Sequence, residues 1–463
     1  MRIALIRNHD LCLNSRQMHA MQKRAGVLPH LGLSYIEAAL LREGHVVTQL
    51  DAQAFGLDSI ALKKALQAFV PDLVGVTTTT PGMPGAVEAC KISKEIGATV
   101  ILGGPHTEVY GRENLYHSCI DFVGVGEGVS IMVDLADALS EGKDPSTIPG
   151  LVSREFENLP AKMMNLQDMG WPNRTSVPIE LYHSIMAKRP FTTMISSRGC
   201  PFQCSFCFKQ SVDRKSIYRT ADDVVSEMEH LVKTYAVKEI MFYDDIFTMK
   251  RKRVVEICNL INDRKLKVRW EAPTRVDLVD DELLKLMRKA GCIRLRFGIE
   301  SGDIDILRDM QKSTDIEKIH QAVIGAKKAG IQTFAYFIVG WLNESIEQYQ
   351  RTVDMALRLP LDYASFYTAT PLPGTTLFKS AVKAGMVAED YWLRYIRGEE
   401  TGRIGFLAPS AEERAREAYK RFYMRPRKLP TILKHASGRK MLLPVVSGVV
   451  SLMKSNGNTF RDI

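Results

Sequence analysis

Two runs of alternating strand-like and helix-like segments, over residues 1–140 and 191–368, predict an α/β protein. The first run predicts a flavodoxin-like, doubly wound parallel sheet. The second predicts a partial (β/α)6 barrel of the TIM type, followed by a helical C-terminal tail. The expected division is 1–142 for the first domain, 143–190 for a linker, 191–380 for the barrel and 381–463 for the C-terminal region. A chain of 463 residues has room for two or three domains, and 45% hydrophobic with 25% charged residues is ordinary for a soluble globular protein.

In the first run, Arg2–Ile6, Val46–Leu50, Leu73–Thr77, Thr99–Leu102 and Phe122–Val125 are short apolar runs and are assigned as strands. Leu33–Arg42, Asp58–Phe69, Ala86–Ile96 and Ser130–Leu139 have helical spacing, with a short helix near Gly111–Tyr116. Residues 141–190 are richer in Pro, Asn and Met, lack a period and read as a connector. In the second run, strands Thr192–Ser196, Glu239–Tyr243, Val268–Ala272, Arg294–Gly298, Gln332–Val339 and Tyr363–Thr368 are expected. Helices Ala221–Thr234, Arg251–Asn262, Asp281–Ala290, Ile316–Ala329 and Ile346–Leu357 alternate with them, and the sixth strand lacks its helix.

Ligands of such folds bind at the carboxyl ends of the strands, so the loops there carry the candidate sites. In the first domain these loops read Thr77-Thr78-Thr79-Thr80-Pro81-Gly82, Gly103-Gly104-Pro105-His106 and Gly124-Val125-Gly126-Glu127-Gly128. Glycines let a backbone approach a large flat ligand closely, and hydroxyls can bond to its polar fringe. The same loops, read alone, also suit routine turns.

After the first barrel strand stands Ser-Arg-Gly-Cys-Pro-Phe-Gln-Cys-Ser-Phe-Cys-Phe, with Cys200, Cys204 and Cys207 spaced CxxxCxxC. Three thiolates can hold three corners of a four-iron cluster and leave one iron without a protein ligand. Structural zinc wants four ligands, and the next cysteine is Cys258, far along the chain. Cys12, Cys90, Cys119, Cys258 and Cys292 are scattered and are expected to be buried small hydrophobes. Cysteine usage of this kind points to a reducing, cytoplasmic compartment. The N-terminus reads as a first strand, too short in its apolar part for a signal peptide.

The formal net charge is +9, yet residues 411–440 alone carry ten Lys or Arg against three Glu. A nucleic-acid enzyme is expected to carry its positive charge on the catalytic body, so nucleic acid is not an expected partner. Residues 411–428 read as a basic helix with Tyr419, Phe422 and Tyr423 interleaved, and the apolar run 441–453 is too short to span a bilayer. Either the tail packs against the barrel, or it lies on an anionic membrane surface and makes the protein peripheral to the membrane.

The cysteine segment resembles the signature of the radical S-adenosylmethionine (SAM) enzymes. The resemblance implies a [4Fe-4S] cluster on Cys200, Cys204 and Cys207, with SAM chelated at the open iron. It implies that Asp244 or Asp245, after the second barrel strand, holds the SAM ammonium, although acidic residues there also suit a helix N-cap. Gly298-Ile299-Glu300-Ser301-Gly302 resembles the family's ribose site, with Glu300 as acceptor and Ser301 beside it, and the strand ending in Val339 would line the adenine. Arg275 fits either a partner for the SAM carboxylate or a structural ion pair. The turn Pro371-Leu372-Pro373-Gly374-Thr375 is similar to one in the same family.

Placed ahead of such a barrel, the first domain resembles the cobalamin-binding domain of the cobalamin-dependent members. Pro29-His30-Leu31-Gly32-Leu33, Gly103-Gly104-Pro105-His106 and Gly124-x-Gly126-Glu127 resemble that family's turns. Thr78, Thr79, Gly103, Gly104, Gly126 and Glu127 are then the expected cobalamin contacts. The motif Asp-x-His-x-x-Gly is absent, so no histidine ligand to cobalt is expected from His30 or His106. The implied function is methylation of a carbon of a hydrophobic or specialised small molecule, through a 5′-deoxyadenosyl radical and methylcobalamin, with electrons from an external donor such as flavodoxin or ferredoxin. The alternatives are a ring-forming enzyme resembling the anaerobic magnesium-protoporphyrin monomethyl ester cyclase, and a non-catalytic cobalamin or metal sensor.

Overall fold

The computed structural model describes residues 1–8, 26–184, 186–208, 215–400, 407–408 and 410–425. In its first half, β1 (Arg2–Arg7), β3 (Val46–Asp51), β4 (Leu73–Thr77), β5 (Thr99–Gly103), β6 (Phe122–Gly124) and β7 (Leu151–Val152) form one sheet in the order β3-β1-β4-β5-β6-β7. The first five strands of that order are parallel, and β7 pairs antiparallel to β6. This is the strand order of a flavodoxin-like sheet. Two short strands of the expected connector thus pair back onto the first half, since β8 (His183–Ser184) also forms a ribbon with β2 (Gly26–Val27).

The second sheet contains β9 (Phe191–Met194), β12 (Glu239–Phe242), β13 (Arg269–Thr274), β14 (Cys292–Glu300), β15 (Gln332–Val339) and β16 (Tyr363–Thr368). They lie in sequence order, all parallel, and among the described residues β9 and β16 are the edges of the sheet. The barrel is therefore open on that side. Its helices bury one stripe each, as their three-four spacing requires: Val224, Val225, Met228 and Leu231 in one, Leu283, Leu284 and Met287 in another. Thr220, Asp280, Asp315 and Ser345 cap four of them through side-chain acceptors.

Two differences from the expected elements bear on function. The first barrel strand ends at Met194, and β10 (Ser197–Arg198) pairs instead with β11 (Ile217–Tyr218). That ribbon pinches the neck of the cysteine loop. The missing sixth helix is supplied by Ala411–Tyr423, which docks on β16 and buries Ala415, Ala418 and Phe422 in the barrel core. Tyr423 Oη donates to the Ala364 carbonyl at 2.8 Å. The apolar face of this basic helix is thus occupied by protein rather than offered to a membrane. Residues 441–453 lie outside the described residues. Among the described residues, no helix is long and apolar enough to cross a membrane.

The two halves share a core. Trp341, Phe378, Trp392, Tyr395 and Ile396 pack with Ala86, Ile92 and Ile120 of the first domain. Tyr395 Oη donates to the Pro81 carbonyl at 2.9 Å, and His117 Nε2 lies 2.7 Å from the Ile396 carbonyl. Cys90, Cys119, Cys258 and Cys292 are buried as expected, and Cys12 is outside the described residues. Because Phe422 is fully buried, Phe422→Ala is expected to destabilise the barrel by about 3–5 kcal/mol, read as a lower denaturant midpoint of its unfolding transition.

Candidate active site between the two sheets

The cysteine loop leaves the barrel through a short segment gripped by charge. Asp244 accepts from Ser196 N at 2.7 Å and from the hydroxyls of Ser196 and Ser197 at 2.5 Å each. Arg253 donates to the Ser196 carbonyl and hydroxyl at 3.0 Å and lies 3.7 Å from Asp244. Arg219 donates to the Ile195 carbonyl at 2.9 Å. All three side chains are buried. Asp244 is therefore committed to the neck of the loop, whereas its neighbour Asp245 is exposed and accepts from Gly199 N at 2.8 Å. Gly199 has φ +94, the left-handed conformation that glycine adopts without strain.

Beyond Gly199, Cys200 and Cys204 are half-buried and Cys207 is exposed. The loop is tied down by Ser205, whose N donates to the Met310 carbonyl at 2.9 Å and whose own carbonyl accepts from Leu377 N at 2.8 Å. Burial pushes the Cys204 thiol up, while the nearby Lys312 and Arg275 cations pull it down. Among the described residues, no three His, Cys, Asp or Glu side chains are gathered to share one ion. Each thiolate of a cluster binds a different iron, so the three need not converge on a single point.

At the end of β14, Glu300 stands at φ +69 and forms a buried ion pair with Lys312 at 2.9 Å. The side chain folds back over Gly298, where a Cβ would lie 2.5 Å from Glu300 Oε1. Lys312 also lies 6.0 Å above the Phe206 ring, between the second and third cysteines. Arg275 takes its ion-pair alternative: it bonds Asp277 at 2.9 and 3.0 Å and the carbonyls of Lys312 and Ser313 at 2.9 and 3.1 Å. Its guanidinium also stacks 3.7 Å over Phe202 of the cysteine loop. Ser301 is fully buried and bonds Thr352 at 2.9 Å, and Val339 is fully buried at the end of β15.

The first sheet opens at its carboxyl edge into a cavity of about 340 Å³. Gly32, Gly75, Gly103, Gly104, Gly124, Gly126 and Gly128 line it, with Leu33, Ile101 and Met132 deeper in. Side chains are not tolerated at two of these turns. A Cβ on Gly104 would lie 2.6 Å from the Thr78 carbonyl, and one on Gly126 would lie 2.4 Å from the Ala161 carbonyl, both at positive φ. A Cβ on Gly75 would lie 3.1 Å from Leu5 and 3.3 Å from Met132, so the slot between sheet and helix depends on its absence. A flat ligand at the rim with an arm in this slot fits the cavity. Thr78 is buried; its hydroxyl donates to the Thr79 carbonyl at 2.9 Å and its own carbonyl accepts from His106 N at 3.3 Å, while Thr79 is exposed.

The two histidines have settled roles. His106 is fully buried, with Nδ1 3.0 Å from Thr80 Oγ1 and Nε2 3.1 Å from Asn114 Oδ1. His30 lines the cavity, and its Nδ1 accepts from Leu33 N at 3.2 Å as the cap of helix Leu31–Arg42. Burial draws both rings down to about 4, so they are neutral at neutral pH. With Nδ1 accepting, the single proton of the His30 ring sits on Nε2, which makes that atom a donor in this structure.

Glu127 joins the two halves. It caps helix Gly128–Glu141, accepts from Met164 N at 3.3 Å and pairs with Arg198 at 2.7 Å. Arg198 lies two residues before Cys200, and both partners line the cavity. Sequence reasoning missed Arg198, Arg219, Arg253 and Lys312. Arg198 carried a signal, its place inside Ser-Arg-Gly-Cys; the others have no motif spacing and are assembled by the fold.

Asp244→Ala leaves Arg253 buried without its partner, and a loss of about 3–5 kcal/mol is expected, read by denaturant titration. His106 binds its proton more tightly unfolded than folded. Its contribution to stability is thus present above about pH 6.5 and is lost as pH falls towards about 4. His106→Gln is expected to show a shallower fall in denaturant midpoint across that window than the parent chain.

Two family models match the chain: the radical SAM superfamily over residues 194–356 and the B12 binding domain over residues 20–136. An uncharacterised methyltransferase of Pyrococcus horikoshii is 34% identical over 412 residues, covering 87% of this chain and 89% of the relative. The anaerobic magnesium-protoporphyrin IX monomethyl ester cyclase of Rubrivivax gelatinosus is 32% identical over 370 residues, covering 77% of this chain and 66% of the relative. The structure of the radical SAM methyltransferase TsrM from Kitasatospora setae, with cobalamin and a [4Fe-4S] cluster bound, shares the fold at a TM-score of 0.70 and 20% identity, covering 83% of this chain and 78% of that one. A glycine-lined cavity at a flavodoxin-like sheet edge, joined by an ion pair to a CxxxCxxC loop on an open six-stranded barrel, accords with both matches. The chain belongs to the cobalamin-dependent radical SAM enzymes, the family of methyltransferases and cyclases with a B12-binding domain ahead of a radical SAM barrel.

Proposed function

We propose that this enzyme methylates a carbon of a small, hydrophobic substrate. The observation that carries the reading is the adjacency of the two sites: the Glu127–Arg198 pair lines the first-domain cavity and lies two residues from Cys200. When bound, the cluster with SAM supplies a hydrogen-abstracting carbon radical, and cobalamin supplies a methyl group. The chain's own work is to hold these groups and one substrate carbon together and to exclude water.

Cys200, Cys204 and Cys207 hold the cluster and leave one iron open. Asp245, exposed beside the loop, takes the SAM ammonium, and Glu300 accepts from the ribose with Lys312 balancing its charge. Asp244, Arg275, Ser301 and Val339 support the site without touching SAM through their side chains. Gly103, Gly104 and Gly126 let a corrin edge approach, Thr79 bonds its fringe, and the His30 Nε2 proton is donated towards it. Exposure of Cys207 leaves a short path for electrons from an external donor such as flavodoxin or ferredoxin. The chain then divides into 1–142, 143–190, 191–380 and 381–463, with helix Ala411–Tyr423 of the last segment completing the barrel.

Ring formation is the second reading, and the 32% identity to a cyclase favours it. Anaerobic reconstitution is expected to load about four irons and one cobalamin per chain, and Cys204→Ala is expected to lose the iron. Turnover on the substrate is expected to release S-adenosylhomocysteine beside 5′-deoxyadenosine. Substrate conversion with 5′-deoxyadenosine alone would overturn methylation in favour of ring formation.

A further inference from the structure

The inner face of the barrel carries an aromatic wall that the cofactor sites do not use. On β15, Phe334 and Tyr336 share one face, while Thr333, Ala335 and Phe337 on the other are fully buried. On β16, Tyr363 and Tyr367 continue the inner face. Their rings touch in series: Tyr363 to Phe334 at 6.2 Å, Phe334 to Tyr336 at 4.7 Å, Tyr336 to Tyr367 at 6.2 Å. Tyr243, at the end of β12, faces the same lumen beneath Arg296, whose Cζ is 5.3 Å from its ring.

The bottom of the lumen is sealed. Arg294 is fully buried, pairs with Glu271 and donates to Gln332 Oε1 and the Met186 carbonyl at 3.0 Å each. Arg296 holds Glu271 at 3.7 Å and bonds the Phe242 carbonyl, so its charge is used within the wall. The top is the catalytic end, where Glu300 folds back over Gly298, two residues above Arg296 on the same strand. A closed barrel of this type fills its lumen with packed side chains. Here Tyr243 and Tyr367 remain 44% and 55% exposed. Phe191 and Met241 of β9 and β12 pack with Val27, and Thr193 Oγ1 donates to the Pro29 carbonyl at 3.4 Å, so this side of the lumen faces the first domain.

The surface is sealed below, open towards the other domain and bounded above by the SAM-side residues, and its exposed rings are free to take a ligand. Its chemistry is ring faces and phenols with no unspent charge among the contacts described. We infer that Tyr243, Tyr336 and Tyr367 form the substrate-binding wall and that it selects a planar conjugated ring system over a flexible aliphatic chain, because offset and edge contacts at 4.5–7 Å reward flat π surfaces. Arg296 is a positioning residue that fixes Tyr243. The inference rests on the radical SAM reading of the site and narrows its hydrophobic substrate to one shape.

The test uses the full chain, reconstituted with iron, sulfide and hydroxocobalamin so that the first-domain cavity is filled. The probe is 1-pyrenemethanol, followed by fluorescence anisotropy, with n-dodecanol as an aliphatic competitor. The parent chain and Tyr367→Phe are expected to bind the probe alike. Tyr367→Leu and Tyr336→Leu, which keep apolar bulk but remove the ring, are expected to weaken it about two- to twelve-fold with iron and cobalamin content unchanged. Dodecanol is expected to compete poorly. Equal affinity in Tyr367→Leu and the parent, or displacement by dodecanol as effective as by unlabelled pyrenemethanol, overturns the wall. A parent chain that loads neither iron nor cobalamin overturns the radical SAM reading instead, whatever the probe does.

Discussion

The site hangs on the grip that three buried charges exert on Ile195–Ser197. Asp244, Arg253 and Arg219 each reach this segment from a different place in the barrel, and each takes backbone or hydroxyl groups that a turn would otherwise leave unpaired. Burying such groups is costly unless they satisfy one another, so the arrangement is nearly all-or-none. Arg219 passes the constraint outward through Glu227, which also pairs with Arg174 at 3.2 Å, and Arg174 bonds β9 at Thr192 and Thr193. The connecting segment, the first barrel strand and the neck of the cysteine loop are thus tied into one network of hydrogen bonds and ion pairs. A loop of half-exposed cysteines with almost no regular structure gains a defined exit direction from a rigid neck.

The other half of the active site is built by omission. The cavity at the first sheet exists because Gly75, Gly104 and Gly126 carry no Cβ, and any side chain there would meet a neighbour within about 3 Å. One ion pair, Glu127–Arg198, and a shared hydrophobic core through Trp341, Trp392 and Tyr395 set that cavity against the cysteine loop. Chemistry that needs two cofactors on one carbon requires fixed separation. A mixed interface of buried aromatics and a partly buried ion pair resists sliding better than a polar seam would. The open side of the barrel then has a use, since a fully closed lumen would leave no room between the two halves.

Much of the frame was legible because it rests on local rules. Leu73–Thr77, Gln332–Val339 and Tyr363–Thr368 begin and end where their apolar runs do. The three cysteines carry their meaning in their spacing. Less legible were residues whose role depends on which way they face. Asp244 and Asp245 are the same residue type side by side after a strand, and consecutive side chains there point to opposite sides. One is buried as a clamp and the other is exposed beside the loop. Arg275 suited a ligand contact and an ion pair equally until Asp277 and two carbonyls were seen around its guanidinium. Lys312 lies twelve residues past Glu300 across a short helix, and no periodicity connects them.

By itself, then, the sequence determined the two-sheet architecture, the cluster loop and the glycine turns, because hydrophobic period, thiol spacing and the absence of a Cβ are all properties of short segments. Only the tertiary structure decided how these parts are assigned and joined. It sent the basic helix Ala411–Tyr423 to the barrel, since its Ala and Phe stripe found a matching face on β16. It turned His30 into a capping acceptor through one contact with Leu33 N. It set the cysteine loop against the cavity through Arg198, a residue whose partner lies 71 positions earlier in the chain. Such pairings depend on long-range geometry, and a one-dimensional pattern does not contain it.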